Sequence, residues 1–332
     1  MKARKLWQRI LIFLGIVAVA AVLPFLTANP YQMHILNLLG IYMLLNLGLN
    51  IAMGYCGQMN LAMAAFWGVG AYASTLLAVD LGISFWIALP ISGLVTAVLG
   101  GLVGLPSLKV RSHYLAIVTI GLAGIINLIL VNEREITRGA IGITNVPSPS
   151  IFGLELNDGF RYYYLILVTV ILGYLLAQQI VNHRLGRNFI AIRDDHVAAQ
   201  AMGINIAYYQ ILAFAISGFY AGIAGSVYAH MINYVSPDIF AFQSMMFVLT
   251  MTLVGGLGSL PGSIIGALLA VVHEYLRELE DFQLVIYGVV VVLCVLFFPG
   301  GVVGLAQRVR SWRRRKTAAV SPPAVVTRED AA

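Results

Sequence analysis

The residues with the greatest capacity for chemistry form one polar island, Gly186 to Gly203, between two long apolar runs. It carries Arg187, Arg193, Asp194, Asp195 and His196 among the small side chains Ala191, Ala198 and Ala199. This set suits recognition rather than catalysis: exposed ion pairs at a rim orient a partner more than they tighten its binding. Ala191, Asp194/Asp195, Ala198/Ala199 and Met202 recur at three- and four-residue spacing, which predicts a short helix with one mostly small face. Such a face can seat in a groove of another protein. Gly203 suits the position just past the helix end, where a left-handed backbone costs a glycine little. The plainer alternative is a solvated loop helix with nothing on it.

Catalytic constellations are missing elsewhere in the sequence. The four lysines, Lys2, Lys5, Lys109 and Lys316, stand outside any Gly-x-x-x-x-Gly-Lys-Ser/Thr frame, so no phosphate-cradling loop is present. His273-Glu274 opens a zinc-protease-like frame, but Arg277 occupies the place of its second histidine. No two of the six histidines are three or four residues apart, and Cys56 and Cys294 are distant in sequence, so no metal site is expected. Ser259 has no histidine arrangement that would make it a nucleophile. The chain therefore reads as a non-enzyme without a cofactor of its own.

The elements that must position the island are transmembrane helices. Of 332 residues, 60% are hydrophobic and 10% charged, against about 25% charged in a soluble domain. Apolar runs of about 20 residues, each enough to cross a hydrocarbon core of about 30 Å, recur along the chain. They are continuous rather than alternating, which excludes a transmembrane barrel. The fold class is all-α and polytopic, with ten spans expected at 8–27, 33–53, 62–80, 84–107, 113–131, 162–181, 209–231, 242–257, 262–278 and 283–303. The first is longer than a signal-peptide core and lacks a clear cleavage site, so it reads as retained.

The net charge of +6 sits at helix ends and reports orientation rather than nucleic-acid binding. Lys2, Arg4, Lys5 and Arg9 place the N-terminus inside. Alternation then puts Lys109/Arg111, the island and the cluster Arg308 to Lys316 inside, and the acidic 278–281 segment, Asp238 and the 132–161 loop outside. Both termini are expected in the cytoplasm. Residues 1–305 are expected to form the membrane domain, with the island inside 183–208. Residues 306–332 form a basic, then disordered, cytoplasmic tail.

Two segments break the apolar pattern without any charge to draw them into water. One carries Gly54, Gly57, Gln58 and Asn60. The other carries Gly255, Gly256, Gly258, Ser259, Pro261 and Gly262. Gly/Pro-interrupted spans in a transporter mark a translocation region, because backbone groups freed from the helix must be satisfied by protein or by cavity water. Tight turns at the cytoplasmic surface would leave the same signature. Both breaks fall on the same side in the alternation, which argues against a simple inverted repeat. Asn46, Asn50, Asn60 and Asn127 are the main polar intruders within spans; each reads as functional or as an interhelical hydrogen-bonding residue. Gly68, Gly70 and Tyr72 fit close helix packing through small residues.

Four ordered segments resemble the LivM-type permeases of bacterial branched-chain amino acid ABC importers. They are Asn46–Gln58 running on through Ala64–Tyr72; Thr137–Ile143 to Pro147; the island with Leu212–Phe214 and Ala221–Gly225; and Gly255–Gly262 with Gly266, closing on Phe298–Gly301 and Gly304. The set spans roughly residues 35 to 305. Two departures stand out: Gly57-Gln-Met-Asn-Leu-Ala62 where the family reads Gly-Gln-Leu-Ser-Leu-Gly, and His196 after the Asp pair.

The resemblance implies an inner-membrane permease that cycles by alternating access. Its partners would be a homologous second permease, two cytoplasmic ATPases that bind ATP and Mg, and a periplasmic substrate-binding protein. The island would seat on the ATPase through Gly186, Arg187, Ala191, Arg193, Asp194, Asp195, Ala198, Ala199 and Gly203. Leucine, isoleucine and valine are the implied substrates; urea and short amides, carried by similar permeases, are the alternative. A bulky residue at Ala199 is expected to disconnect transport from ATP hydrolysis, and Gly256→Leu to stall transport.

Overall fold

A computed structural model describes residues 15, 17–25, 29–108, 112–151 and 154–275, together with 285, 286, 288, 289, 292, 293, 301 and 304. The basic tail, Lys109, Arg111, Cys294 and most of the expected 283–303 span lie outside the described residues.

The described residues are mainly helical. In order come α1 (Pro30–Leu49) continuing into a π-helical turn (Asn50–Tyr55), α2 (Met63–Val79), α3 (Phe85–Gly104), α4 (Ser112–Asn132), α5 (Gly159–Asn182), α6 (Arg184–Asp194), α7 (His196–Ala201), α8 (Ile206–Ile232), α9 (Phe242–Gly255), α10 (Leu260–Ala267) and α11 (Leu269–Tyr275). Residues 17–25 are helical too, within the first expected span. Two tiny antiparallel pairings, Ile143–Thr144 with Tyr234–Val235 and Ser150–Ile151 with Leu154–Glu155, lie in the connections.

Among the described residues six helices are long and apolar enough to cross a membrane: 30–55, 85–108, 114–132, 159–182, 206–232 and 237–255. The chain is thus a multi-pass membrane protein. The expected spans 62–80 and 262–278 correspond to the shorter apolar helices Met63–Val79 and, among the described residues, Leu260–Val272. Before α2, residues 57–62 form a non-helical segment that buries Gln58 and Asn60. After α10 the backbone tightens to i→i+3 hydrogen bonds, Leu268 to Ile265 and Val271 to Leu268, which separates α11.

Helices α1 and α8 form the centre. The apolar window of α1 is 72% buried and that of α8 61%, against 17% for α4, which faces outward. An apolar helix buried on all sides needs neighbours that come very close, and here glycine supplies the space. A Cβ on Gly70 of α2 would strike Gly222 of α8, and one on Gly222 would lie 2.6 Å from the Ser92 carbonyl of α3. Gly100 of α3 would meet the Phe214 carbonyl at 2.5 Å. The expected small-residue packing around Gly68 and Gly70 is therefore present, with Gly68 against the Phe240 ring.

The connections sort into two ends. At one, Arg138 pairs with Asp80 at 3.6 Å, Ile143 and Thr144 pair with Val235 and Tyr234, and Asn233 donates to the Val146 carbonyl at 2.6 Å. At the other, the residue 54–60 segment, the 256–259 junction and the 183–208 island meet. This is the partition that alternate crossings of a membrane produce.

Candidate functional site

The first break begins as a change of helix type. From Asn50 the chain adopts a wider turn, with the Cys56 amide reaching back five residues to the Ile51 carbonyl at 3.2 Å. Such π turns inside apolar helices frequently sit at functional places. Gly57 then takes φ +73 and ends the helix. The second break is a helix stop followed by a helix start. Gly256 (φ +112) and Gly258 (φ +75) adopt backbones that other residues rarely hold. Ser259 caps α10 by accepting from the Gly262 amide at 3.2 Å, and Pro261 stands in its first turn, where a missing N–H costs nothing. Gly255, Gly262 and Gly266 let α9 and α10 fold back in near backbone contact. In conformation the second break is thus a tight helical hairpin.

The two breaks are bound together by one side chain. Asn50 Nδ2 shares its two N–H groups among the carbonyl of Ser259 (3.0 Å), the carbonyl of Gly256 (3.3 Å) and Ser263 Oγ (2.7 Å), while its Oδ1 accepts from the Gly258 amide (2.8 Å). One turn earlier, Asn46 donates to the Ser263 carbonyl (3.3 Å) and accepts from Thr252 Oγ1 (2.9 Å). The other two asparagines also bridge elements: Asn60 donates to Ser217 Oγ (3.0 Å) and Asn127 to the Pro237 carbonyl (3.2 Å). Of the two readings open for these residues, hydrogen bonding to another element is present at all four, Asn60 doing so from the non-helical segment.

The island is two helices rather than one. Asp195 breaks them with an extended backbone (φ −157, ψ 111) and caps α7, its Oδ1 accepting from the amides of Val197 (2.8 Å) and Ala198 (3.1 Å). The single small face expected across Ala191 to Met202 is therefore interrupted. The competing principle is capping: a helix start at Asp195 satisfies amides that a continuous helix would have used otherwise.

Gly203 does end α7 in the left-handed region (φ +81). Gly186 lies so close to the end of α5 that a Cβ would strike the Val181 carbonyl. Arg187, Asp194, Asp195 and Ala198 are exposed, and Ala191 is half-buried. Ala199 is 3% exposed and faces inward, whereas Val197 (78%) and Met202 (82%) present the apolar surface. Sequence spacing missed Val197. Its signal was an apolar residue placed between two exposed charges and the alanine pair.

Arg193 turns inward as well as outward. Its Nη1 donates to the Gly54 carbonyl at 2.8 Å, while Nε and Nη2 both donate to Asp194 Oδ1 at 3.2 and 3.1 Å. The structure therefore brings Gly54, Gly57, Gly258 and Ser259 together with Arg193 of the island, sites that sequence spacing treated separately.

A cavity of about 400 Å³ opens at the other end, between α1, the start of α5 and the end of α8, lined by Met33, Asn37, Asp158, Tyr162, His230 and Met231. His230 Nδ1 donates to the Pro147 carbonyl (2.7 Å), which leaves Nε2 to accept from Ser74 Oγ (3.1 Å). Sequence reasoning had not singled out His230, because a lone histidine in an apolar helix carries no spacing signal.

Residues 31–298 match the family model described as the permease component of the branched-chain amino acid transport system. The chain belongs to this family of permeases. It is 33% identical over 90% of its length to the high-affinity branched-chain amino acid transport system permease protein LivM of Salmonella typhimurium LT2, covering 75% of that protein. The LivM protein of Escherichia coli K12 gives the same identity and coverage. The LivH permease of Escherichia coli K12 is 25% identical over 79% of the chain and 91% of its own length. No solved structure matches the chain. Within the permease, three of the four LivM-like segments contribute to the two breaks and the island, while Thr137–Pro147 lies in the connection at the opposite end.

Proposed function

We propose that this permease is one membrane subunit of an ATP-driven importer that takes up leucine, isoleucine and valine by alternating access. The observation that carries the reading is the 33% identity to two LivM permeases over 90% of the chain. The similarity to LivH supports a homologous second permease as partner. Two cytoplasmic ATPases holding ATP and Mg would dock on 183–208, and a periplasmic binding protein would deliver substrate at the opposite end. The remaining spans would bring the total to ten in a bacterial inner membrane, with both termini in the cytoplasm.

The island fits the docking role chemically. Val197 and Met202 supply exposed apolar contact, and Arg187, Asp194 and Asp195 surround it with charge. Apolar contact ringed by polar residues is the usual composition of a protein interface. The 400 Å³ cavity, with both methionines and polar groups on its walls, has a size in the usual range for a small-molecule site.

The test is uptake of labelled leucine and labelled urea in cells with and without this gene, partners left in place. Loss of leucine uptake, with isoleucine and valine competing in the parent cells, is expected. Loss of urea uptake with leucine unchanged would overturn the substrate.

A further inference from the structure

The guanidinium of Arg193 occupies a slot built by three glycines from the two breaks. Gly54 contributes its carbonyl, one of the acceptors left without a helical partner where a helix ends, and Nη1 reaches it at 2.8 Å. Gly57 contributes bare space: a Cβ there would stand 2.8 Å from Arg193 Cγ. Gly258 does the same, since a Cβ would stand 2.8 Å from Nη1 and 3.2 Å from the Gly54 carbonyl. The slot is tied shut beneath by Asn50, which holds the Gly258 amide at 2.8 Å and the Ser259 carbonyl at 3.0 Å. A cation at the C-terminal end of the first broken helix is also favoured by the helix dipole.

On its other side the same side chain is fixed to the island. Asp194 takes two of its N–H groups, and Asp195, the next residue, caps α7. Val197 and Met202, the exposed apolar contacts of α7, are thus separated from the breaks by a short, hydrogen-bonded path. A displacement of the island that moves Arg193 must either carry Gly54 with it or break the bond between them.

We propose that Arg193 is the positioning residue that carries movement of the docking loop into the membrane domain, by latching onto the Gly54 carbonyl of the first break, to which Asn50 ties the second. The inference rests on the reading of 183–208 as an ATPase-docking loop, and it assigns Arg193 to the membrane side of that loop rather than to the partner surface. Coupling requires an element whose alternative arrangements both sites bias, and the slot is where the loop bonds to the first break and packs against Gly258 of the second.

The test uses the whole complex reconstituted in vesicles, with R193A, R193K and the unsubstituted chain compared. Three quantities are read: co-purification of the ATPases, the rate of ATP hydrolysis, and leucine taken up per ATP hydrolysed. For R193A, co-purification is expected to persist while leucine per ATP falls by about 10-fold or more, as loss of a charge-assisted hydrogen bond implies. R193K, which keeps a donor for the Gly54 carbonyl, is expected to recover part of that ratio.

A second pair of variants guards against misfolding. G57A crowds Arg193 without removing its charge. G82A imposes the same kind of backbone strain at φ +62, where a Cβ meets nothing within 4 Å. G57A is expected to lower leucine per ATP and G82A to leave it unchanged. An unchanged ratio in R193A overturns the latch, as does loss of ATPase co-purification from R193A alone, which would place Arg193 in the docking contact. Failure of the ATPases to co-purify with the unsubstituted chain overturns the docking reading itself, and the latch with it.

Discussion

Asn50 is fully buried and makes four hydrogen bonds across 206 to 213 residues of sequence. In a membrane protein such a side chain joins segments that apolar packing alone does not specify, because lipid tails are as apolar as the helices. Asn50→Leu strands the Gly258 amide; it should destabilise the fold by about 1–2 kcal/mol. The expected outcome is a lower unfolding midpoint in detergent and reduced uptake. A midpoint equal to that of the unsubstituted chain would show that the two breaks are held by other contacts. Cys56, beside the same turn, is 0% exposed, and burial pushes its thiol up to about 12. Its thiolate is the reactive species, so maleimide labelling of this cysteine in the folded protein should stay negligible up to about pH 9 and rise only on unfolding. The presence of Asn50 and Cys56 among apolar residues was plain in the sequence. Their partners were not, since a hydrogen bond across some 200 residues leaves no local pattern.

At the scale of elements, the island shows how capping overrides periodicity. The three- and four-residue spacing of Ala191, Ala198 and Ala199 predicts one helix, but Asp195 starts a second and rotates the face that follows. Ala199 then points inward and Val197 outward. A bulky residue at Ala199 would therefore disturb the seat of α7 within the loop, so it tests folding more than docking. The sharper probe is Val197→Asp, which puts charge on an apolar contact without touching the interior. Purified membranes should retain the permease in normal amount and lose ATPase co-purification by about 10-fold or more, the loss expected when a central interface contact is replaced. Co-purification at the unsubstituted level would remove α7 from the docking surface. Gly256→Leu remains a strong block for a more specific reason than helix approach: φ +112 excludes a leucine backbone, and the Gly301 backbone lies so close that a Cβ there would strike Gly256.

Across the whole molecule, α8 is held between α2 and α3 by glycine-to-backbone approaches, and Gly222 lies in both contacts. Gly222→Leu should prevent stable accumulation of the permease, because its Cβ would strike Thr96 Oγ1, the Ser92 carbonyl and Gly93 Cα, and the α3 backbone cannot give way. Gly121→Leu, on outward-facing α4 where a Cβ meets nothing within 4 Å, should leave expression and uptake unchanged. Western blotting of membrane fractions separates the two; equal levels would mean that the close approaches do not hold the domain. The same global view explains why the breaks and the island meet. An odd number of crossings separates neither from the other, so charge alternation already placed them at one end, and the structure brings them into contact there.

The sequence by itself determined the class of protein, the positions of most helices and the end at which each connection lies. Those follow from hydropathy, charge and crossing parity, which are properties of contiguous residues. It also marked Gly57, Gly258 and Gly203 as special, because left-handed backbone selects glycine locally. Only the tertiary structure decided that Asn50 binds the second break, that Arg193 faces Gly54 as well as Asp194, and that Val197 rather than Ala199 is presented. Each of these depends on how helices rotate and pack against one another. In a chain that is 60% hydrophobic, apolar faces differ too little for sequence periodicity to fix those rotations, and glycine contacts and buried asparagines fix them instead.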